Sequence, residues 1–217
     1  MKTIRVTGKA NLKVVPNQTK VSLTIEGFAA EYSKALEQSV RDTKVIKDIL
    51  ESCGIDRESL KTENFYTSEK TMPVKDKQGN TKYQHIGYDV THYMNFKFDN
   101  NNELLGKVLF ALAKSSVKPR VSVSYVVDDP EQYKTKLIAL AVRDAKRKAK
   151  AMASAAEVIL GDIEHMDYSY QTIAWETREY LSMSTAKLYS ATDSFDLDIT
   201  PEDMNITDTV TIEWEIK

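Results

Sequence analysis

The first pattern along the chain has a period of two. Ile4, Val6, Gly8, Ala10, Leu12 and Val14 alternate with Arg5, Thr7, Lys9, Asn11 and Lys13. Pro16-Asn17 makes a turn, after which Val21, Leu23 and Ile25 alternate with Lys20, Ser22, Thr24 and Glu26. Successive side chains of a strand point to opposite faces, so this rhythm predicts sheet that is packed on one side and wet on the other, the antiparallel arrangement. It returns where Ile86, Tyr88, Val90, Met94, Phe96 and Phe98 oppose Gly87, Asp89, Thr91, Tyr93, Asn95 and Lys97, and again at Val210, Ile212, Trp214 and Ile216. Weaker strands are expected at 60–70, 121–127 and 162–170. Met72-Pro73 through Gly79-Asn80 reads as a polar hairpin loop.

Between these runs the period lengthens to that of a helix. From about 30 to 53, Leu36, Val40, Thr43, Ile46, Ile49, Leu50 and Cys53 make one stripe, closed by Gly54. A shorter helix carrying Leu104, Leu105, Val108, Leu109 and Leu112 follows Asp99-Asn100-Asn101-Asn102, a stretch rich in capping side chains. The longest helical pattern lies between Asp129 and Gly161. Asp129 is expected to cap it with Pro130 in the first helical position, and Gly161 to stop it. Its stripe begins with Leu137 and Leu140 and takes in Met152, Ala156 and Ile159. Within it Ala141, Ala145, Ala149 and Ala153 form a narrow seam. Small side chains at four-residue spacing let a helix lie close against its neighbour.

From residue 20 to 127 the order is strand, helix, strand, strand, helix, strand, which places helices on one face of an antiparallel sheet. With the long third helix and the C-terminal strand added, the fold class is α+β. No linker rich in Pro, Gly or Ser interrupts it, so one domain spanning 1–217 is expected. From about 171 to 205 the periodicity fails. An irregular arm of that length is seldom mere connection. Trp175, Tyr180, Leu181 and Met183 lie scattered along it among acidic residues. Aromatic residues and Met are enriched where surfaces meet partners, so these four are the candidate subunit-interface residues.

Composition narrows the chemistry. Hydrophobic residues make up 41% and charged residues 29%, with a formal net charge of -2, so no global field draws the chain to nucleic acid or anionic membrane. Arg143, Lys146, Arg147, Lys148 and Lys150 form one basic run, and a solvated helix face accounts for it; nucleic-acid binding there is the third functional reading. The single cysteine, Cys53, excludes an internal disulfide and sits at a helix C-terminus, where nothing favours a thiolate. His85 and His92 are an odd number of residues apart on one strand, hence on opposite faces, and no zinc-ligand spacing occurs. The acidic cluster Asp193, Asp196, Asp198, Glu202 and Asp203 lacks the spacing of a calcium loop. There is no phosphate-cradling Gly-rich loop and no nucleophile elbow. No catalytic residue, cofactor or metal ligand is therefore expected. The leading reading is a non-enzymatic, self-associating protein. The second is a small-ligand binder or enzyme with a pocket between sheet and helices, lined by Tyr66, Tyr88 and His92. Without an apolar run of signal-peptide or membrane-spanning length, the expected location is the cytoplasm, or outside it if a leader has been removed.

Several of these pieces, in this order, resemble the SIMPL-domain family, which includes bacterial periplasmic immunogenic proteins. The carriers are Ile4-x-Val6-x-Gly8 followed by Pro16, Leu60-Lys61-Thr62, Gly87-Tyr88 and Ser124-Tyr125-Val126-Val127-Asp128. To these are added Ala141-Val142-x-Asp144-Ala145-x-x-Lys148-Ala149-x-x-x-Ala153, Leu160-Gly161 and Asp208-x-Val210-x-Ile212-x-Trp214. Two positions depart from the family pattern. Asn17 stands where Asp is usual after the first Pro, and Glu157 where Gly is usual before the Leu-Gly pair. The resemblance implies an α+β fold, homo-oligomers including ring-like or channel-like assemblies, and a link to oxidative stress and envelope maintenance. It implies no established catalytic residues.

Overall fold

In a computed structural model, the described residues are 2–77, 79–168, 173–177, 181–184 (backbone alone) and 199–217. In chain order the elements are β1 (Thr3–Val14), β2 (Gln18–Ala29), α1 (Tyr32–Ser52), β3 (Lys61–Lys75), β4 (Thr81–Asp99) and α2 (Asn102–Lys114). They continue with β5 (Arg120–Val126), α3 (Glu131–Ala155), β6 (Leu160–Asp167), β7 (Leu181–Ser184) and β8 (Met204–Ile216). The fold is α+β, as the alternating periods predict, and the strand pairs among the described residues are antiparallel. The chain divides into two compact units: Met1–Asn17, Val126–Thr177 and Pro201–Lys217 form one, Gln18–Tyr125 and Arg178–Thr200 the other.

The first unit lays α3 on a sheet of order β1-β8-β6. Val6, Ala10 and Val14 of β1 and Ile206, Val210, Ile212 and Trp214 of β8 meet Leu137 and the alanine seam of α3 in one core. The seam brings the helix very close. A Cβ added at Gly8 would stand 2.0 Å from the carbonyl oxygen of Ala141 and 2.8 Å from Cβ of Ala145, so only glycine fits there. Flanking that contact, Asp144 accepts a hydrogen bond from the backbone N–H of Lys9 at 3.0 Å, and the ammonium of Lys148 donates to the carbonyl of Thr7 at 3.2 Å. β1 is an edge strand of this sheet, and these two side chains occupy backbone groups that a further strand would otherwise take. Lys148 and Arg147 both pair with Asp144, at 2.7 and 2.6 Å, and together with the Lys9 N–H they hold its carboxyl well below the usual carboxylate range.

Both ends of α3 have local causes. Asp129 accepts from the N–H of Glu131 at 3.1 Å, with Pro130 already helical (φ -74°), which is the expected cap. The helix stops before Gly161. Val158 N–H reaches the Ala153 carbonyl, Glu157 N–H reaches that of Ser154, and Glu157 takes φ +55°. This is a Schellman ending with glutamate in the left-handed position that favours glycine. Gly161 lies in β6 instead, beside Cβ of Glu215. Met152, expected in the buried stripe, is exposed because the seam narrows the contact to one row of alanines, and Ile159 is exposed beyond the end of the helix. The side-chain oxygen of Asn17 accepts from the N–H of Asp128 at 2.9 Å.

The second unit follows the strand-helix-strand-strand-helix-strand order read from the sequence, with its sheet ordered β3-β4-β2-β5-β7. Its core joins Val21, Leu23 and Ile25 of β2 and Met94 and Phe96 of β4 to Ile46 and Leu50 of α1 and the leucines of α2. Asn101 caps α2 by accepting from Leu104 N–H at 2.9 Å. Met72-Pro73 belongs to β3, not to a loop, and the turn is confined to Asp76–Asn80, where Asn80 N–H donates to Asp76. Proline is tolerated because β3 is an edge strand. β3 pairs with β4 along Thr81–Asn95, whereas β2 pairs with β4 only from Tyr88 onward, so Thr71–Lys75 and Thr81–His85 run on as a two-stranded ribbon.

Candidate functional site

α1 carries two apolar rows one residue apart. Ala35, Ser39, Ile46 and Leu50 are the row buried on the sheet. Leu36 and Val40, which the sequence places in the core, belong to the neighbouring row, and Val40 is 70% exposed. They form one wall of an open concavity of about 520 Å³, with Thr43 further along the helix, Phe65 of β3 opposite and His92 of β4 at the base. Phe65 and His92 are direct cross-strand partners, their rings edge to face at 5.1 Å. The volume lies within the range of small-molecule sites, roughly 300–1,000 Å³.

His92 is 7% exposed and fully engaged. The hydroxyl of Thr43 donates to the Ser39 carbonyl at 2.8 Å, so towards Nδ1 of His92, 3.3 Å away, it can only accept. The proton is thereby assigned to Nδ1. Nε2 is left as acceptor for the Thr62 hydroxyl at 2.9 Å. Burial pushes the imidazole pKa down from 6.5, which keeps the ring neutral. With both nitrogens held by threonines, the ring presents surface to the cavity and no free lone pair. Lys44, Lys47 and Arg57 also line the opening. Lys47 pairs with Glu58 at 3.0 Å, and Arg57 reaches Glu51 and Asp48 at 3.3 and 3.4 Å; Lys44 forms no ion pair among the described residues.

Of the three residues expected to line a pocket, only His92 does. Tyr66, next to Phe65 on the strand, projects from the other side of β3 and is exposed. Tyr88 packs edge-on against Tyr32 at 5.4 Å and His85 at 4.9 Å. The His85 contact arises because the β3–β4 register shifts between Lys70 and Thr71, which breaks the alternation that would have turned His85 away. Phe65, Leu36 and Val40 went unrecognised as lining, although the last two were visible as one helical row.

The other expected positions are scattered. Trp175 is half-buried on the first unit's core, its ring 6.2 Å from that of Tyr133 and its carbonyl accepting from Val127 N–H. Tyr180 lies outside the described residues. Leu181 and Met183 are in β7, in register with Val123 and Val121. In the basic run, Arg147 and Lys148 are committed to Asp144. Cys53 is partly buried against the second unit's core at the end of α1. Among the described residues no group of three or more His, Cys, Asp or Glu is placed to hold a metal ion, and no helix is long and apolar enough to cross a membrane.

Residues 4–214 match the SIMPL family, described as a protein of unknown function (DUF541), and the chain belongs to that family. It is 29% identical over 196 residues to an uncharacterised protein, YggE, of Edwardsiella ictaluri, the match covering 87% of this chain and 78% of that one.

Proposed function

We propose that this SIMPL protein works without catalysis, by joining surfaces, and that it first joins copies of itself through β3. The observation that carries the reading is β3 itself, fifteen residues long and an edge of its sheet. An edge strand presents unpaired N–H and C=O groups to any further strand. Charges, Pro73 and the register shifts at Thr62/Asn64 and Lys70/Thr71 guard its ends. Between the shifts, Asn64-Phe65-Tyr66-Thr67-Ser68 carries no charge, and Tyr66 is 58% exposed. The ribbon beyond adds Met72 and Tyr83, the latter 74% exposed. A bare two-stranded ribbon is marginally stable in water and gains from a partner.

Light scattering on the intact chain tests this. A mass that is a multiple of 24.6 kDa is expected, falling toward that value when Tyr66→Lys and Tyr83→Lys are combined. Both positions are exposed, so the variant should keep its fold by circular dichroism. A monomeric wild type, or an unchanged mass in the variant, would reject the reading.

A further inference from the structure

We infer that the cavity between α1 and β3–β4 binds a small amphiphilic anion, a carboxylate carrying a single apolar chain. This goes beyond self-association and shares with it only Phe65 of β3. The inner walls are apolar: Leu36, Val40 and Phe65, over the flat ring of a histidine whose polar atoms are already satisfied. A polar ligand would find no partner at that base, whereas an apolar chain loses nothing by touching it. Beside these walls, Lys44, Lys47 and Arg57 also line the opening. The carboxylates that answer Lys47 and Arg57, namely Glu58, Glu51 and Asp48, are not among the lining residues. Lys44 has no such answer among the described residues. Apolar walls beside the unanswered charge of Lys44 fit a molecule whose chain goes in and whose negative head stays at that ammonium.

Val40 makes the same point from the folding side. A valine this exposed contributes little to the core, yet it sits four residues after Leu36 and opposite Phe65, so that three apolar side chains face one opening. The base is rigid: Thr43, Thr62 and the Ser39 carbonyl fix the imidazole from both edges, so the opening is pre-formed.

The experiment is a titration of the intact protein, followed by amide chemical shifts, with octanoate as probe and octanol and octylammonium as neutral and cationic matches. Octanoate should perturb amides around Val40, Phe65 and His92 and bind more tightly than octanol, with octylammonium weakest. Lys44→Glu should weaken octanoate by roughly five-fold or more while leaving octanol within about two-fold. Val40→Asp, at an exposed helical position, should weaken both chains and leave the circular dichroism spectrum unchanged. No perturbation at these amides up to about ten millimolar octanoate, equal binding of octanoate and octanol, or indifference to both substitutions would overturn the inference.

Discussion

Two helices of this molecule do the same job in opposite ways. α3 lies on β1 through alanines set against Gly8, and the backbones come so close that a methyl group at residue 8 would collide with the Ala141 carbonyl. α1 lies on β2 and β4 through the row Ala35, Ser39, Ile46 and Leu50, and leaves the neighbouring row, Leu36 and Val40, beside an opening. Small residues make a seam without gaps, and its helix can do little else. A buried row that is small at one end leaves its larger neighbours uncovered, and Leu36 and Val40 so uncovered wall a place for a ligand. The helix ends repeat the contrast. α1 closes on Gly54 at φ +86°, which costs nothing there, while α3 closes on Glu157 at φ +55°, which carries the strain of a side chain in the left-handed region.

Breaking the seam should have the largest effect. Gly8→Val forces side-chain atoms into the α3 backbone and is expected to cost about 3 kcal/mol or more, read by urea unfolding, with Gly8→Ala not far behind. A loss below about 1 kcal/mol would mean the helix can lift off the strand freely. Next comes α1. Leu50→Ala, at a fully buried site, should cost about 2–5 kcal/mol, whereas Val40→Ala on the same helix should stay within about 0.5 kcal/mol. Equal costs would show that Val40 is in the core after all.

A smaller effect is expected at the edge clamp, and it depends on pH. The Asp144 carboxyl titrates lower in the folded chain than its ordinary 3.8, so its contribution is fully present above that value and is lost as pH falls further. Asp144→Asn should therefore lower the melting temperature at neutral pH, and the gap from wild type should close as pH drops below about 4. A gap independent of pH would assign the loss to shape, not charge. The smallest change is a gain. Glu157→Gly should stabilise the chain by about 1 kcal/mol by relieving the left-handed glutamate, and Gly54→Ala should lose about as much.

Much of the frame was legible because alternation and helical spacing are local. β1, β8, α2 and the alanine seam follow from residues a few positions apart, and so do the Asn101 and Asp129 caps. What escaped depends on contacts distant in sequence. Leu36 and Val40 outrank Ala35 and Ser39 in hydrophobicity, so the wrong row of α1 looked buried; the sheet selects the smaller pair. Lys148 and Arg147 read as part of a solvated basic face because Thr7 and Lys9, which Lys148 and Asp144 reach, are about 140 residues away (|i−j| 141 and 135). Met72-Pro73 looked like a loop because proline is a poor strand residue unless the strand has a free edge, and that is a property of the sheet, not of the segment. The candidate cavity was foreseen through His92 alone.

Amide hydrogen exchange across residues 61–75, measured over a range of protein concentrations, tests the joining of surfaces most directly. If β3 pairs with a second copy, amides around Asn64–Ser68 should be protected in concentrated solution and lose that protection on dilution, while those of β1 stay as they are. Exchange along β3 that is equally fast at every concentration would contradict the account.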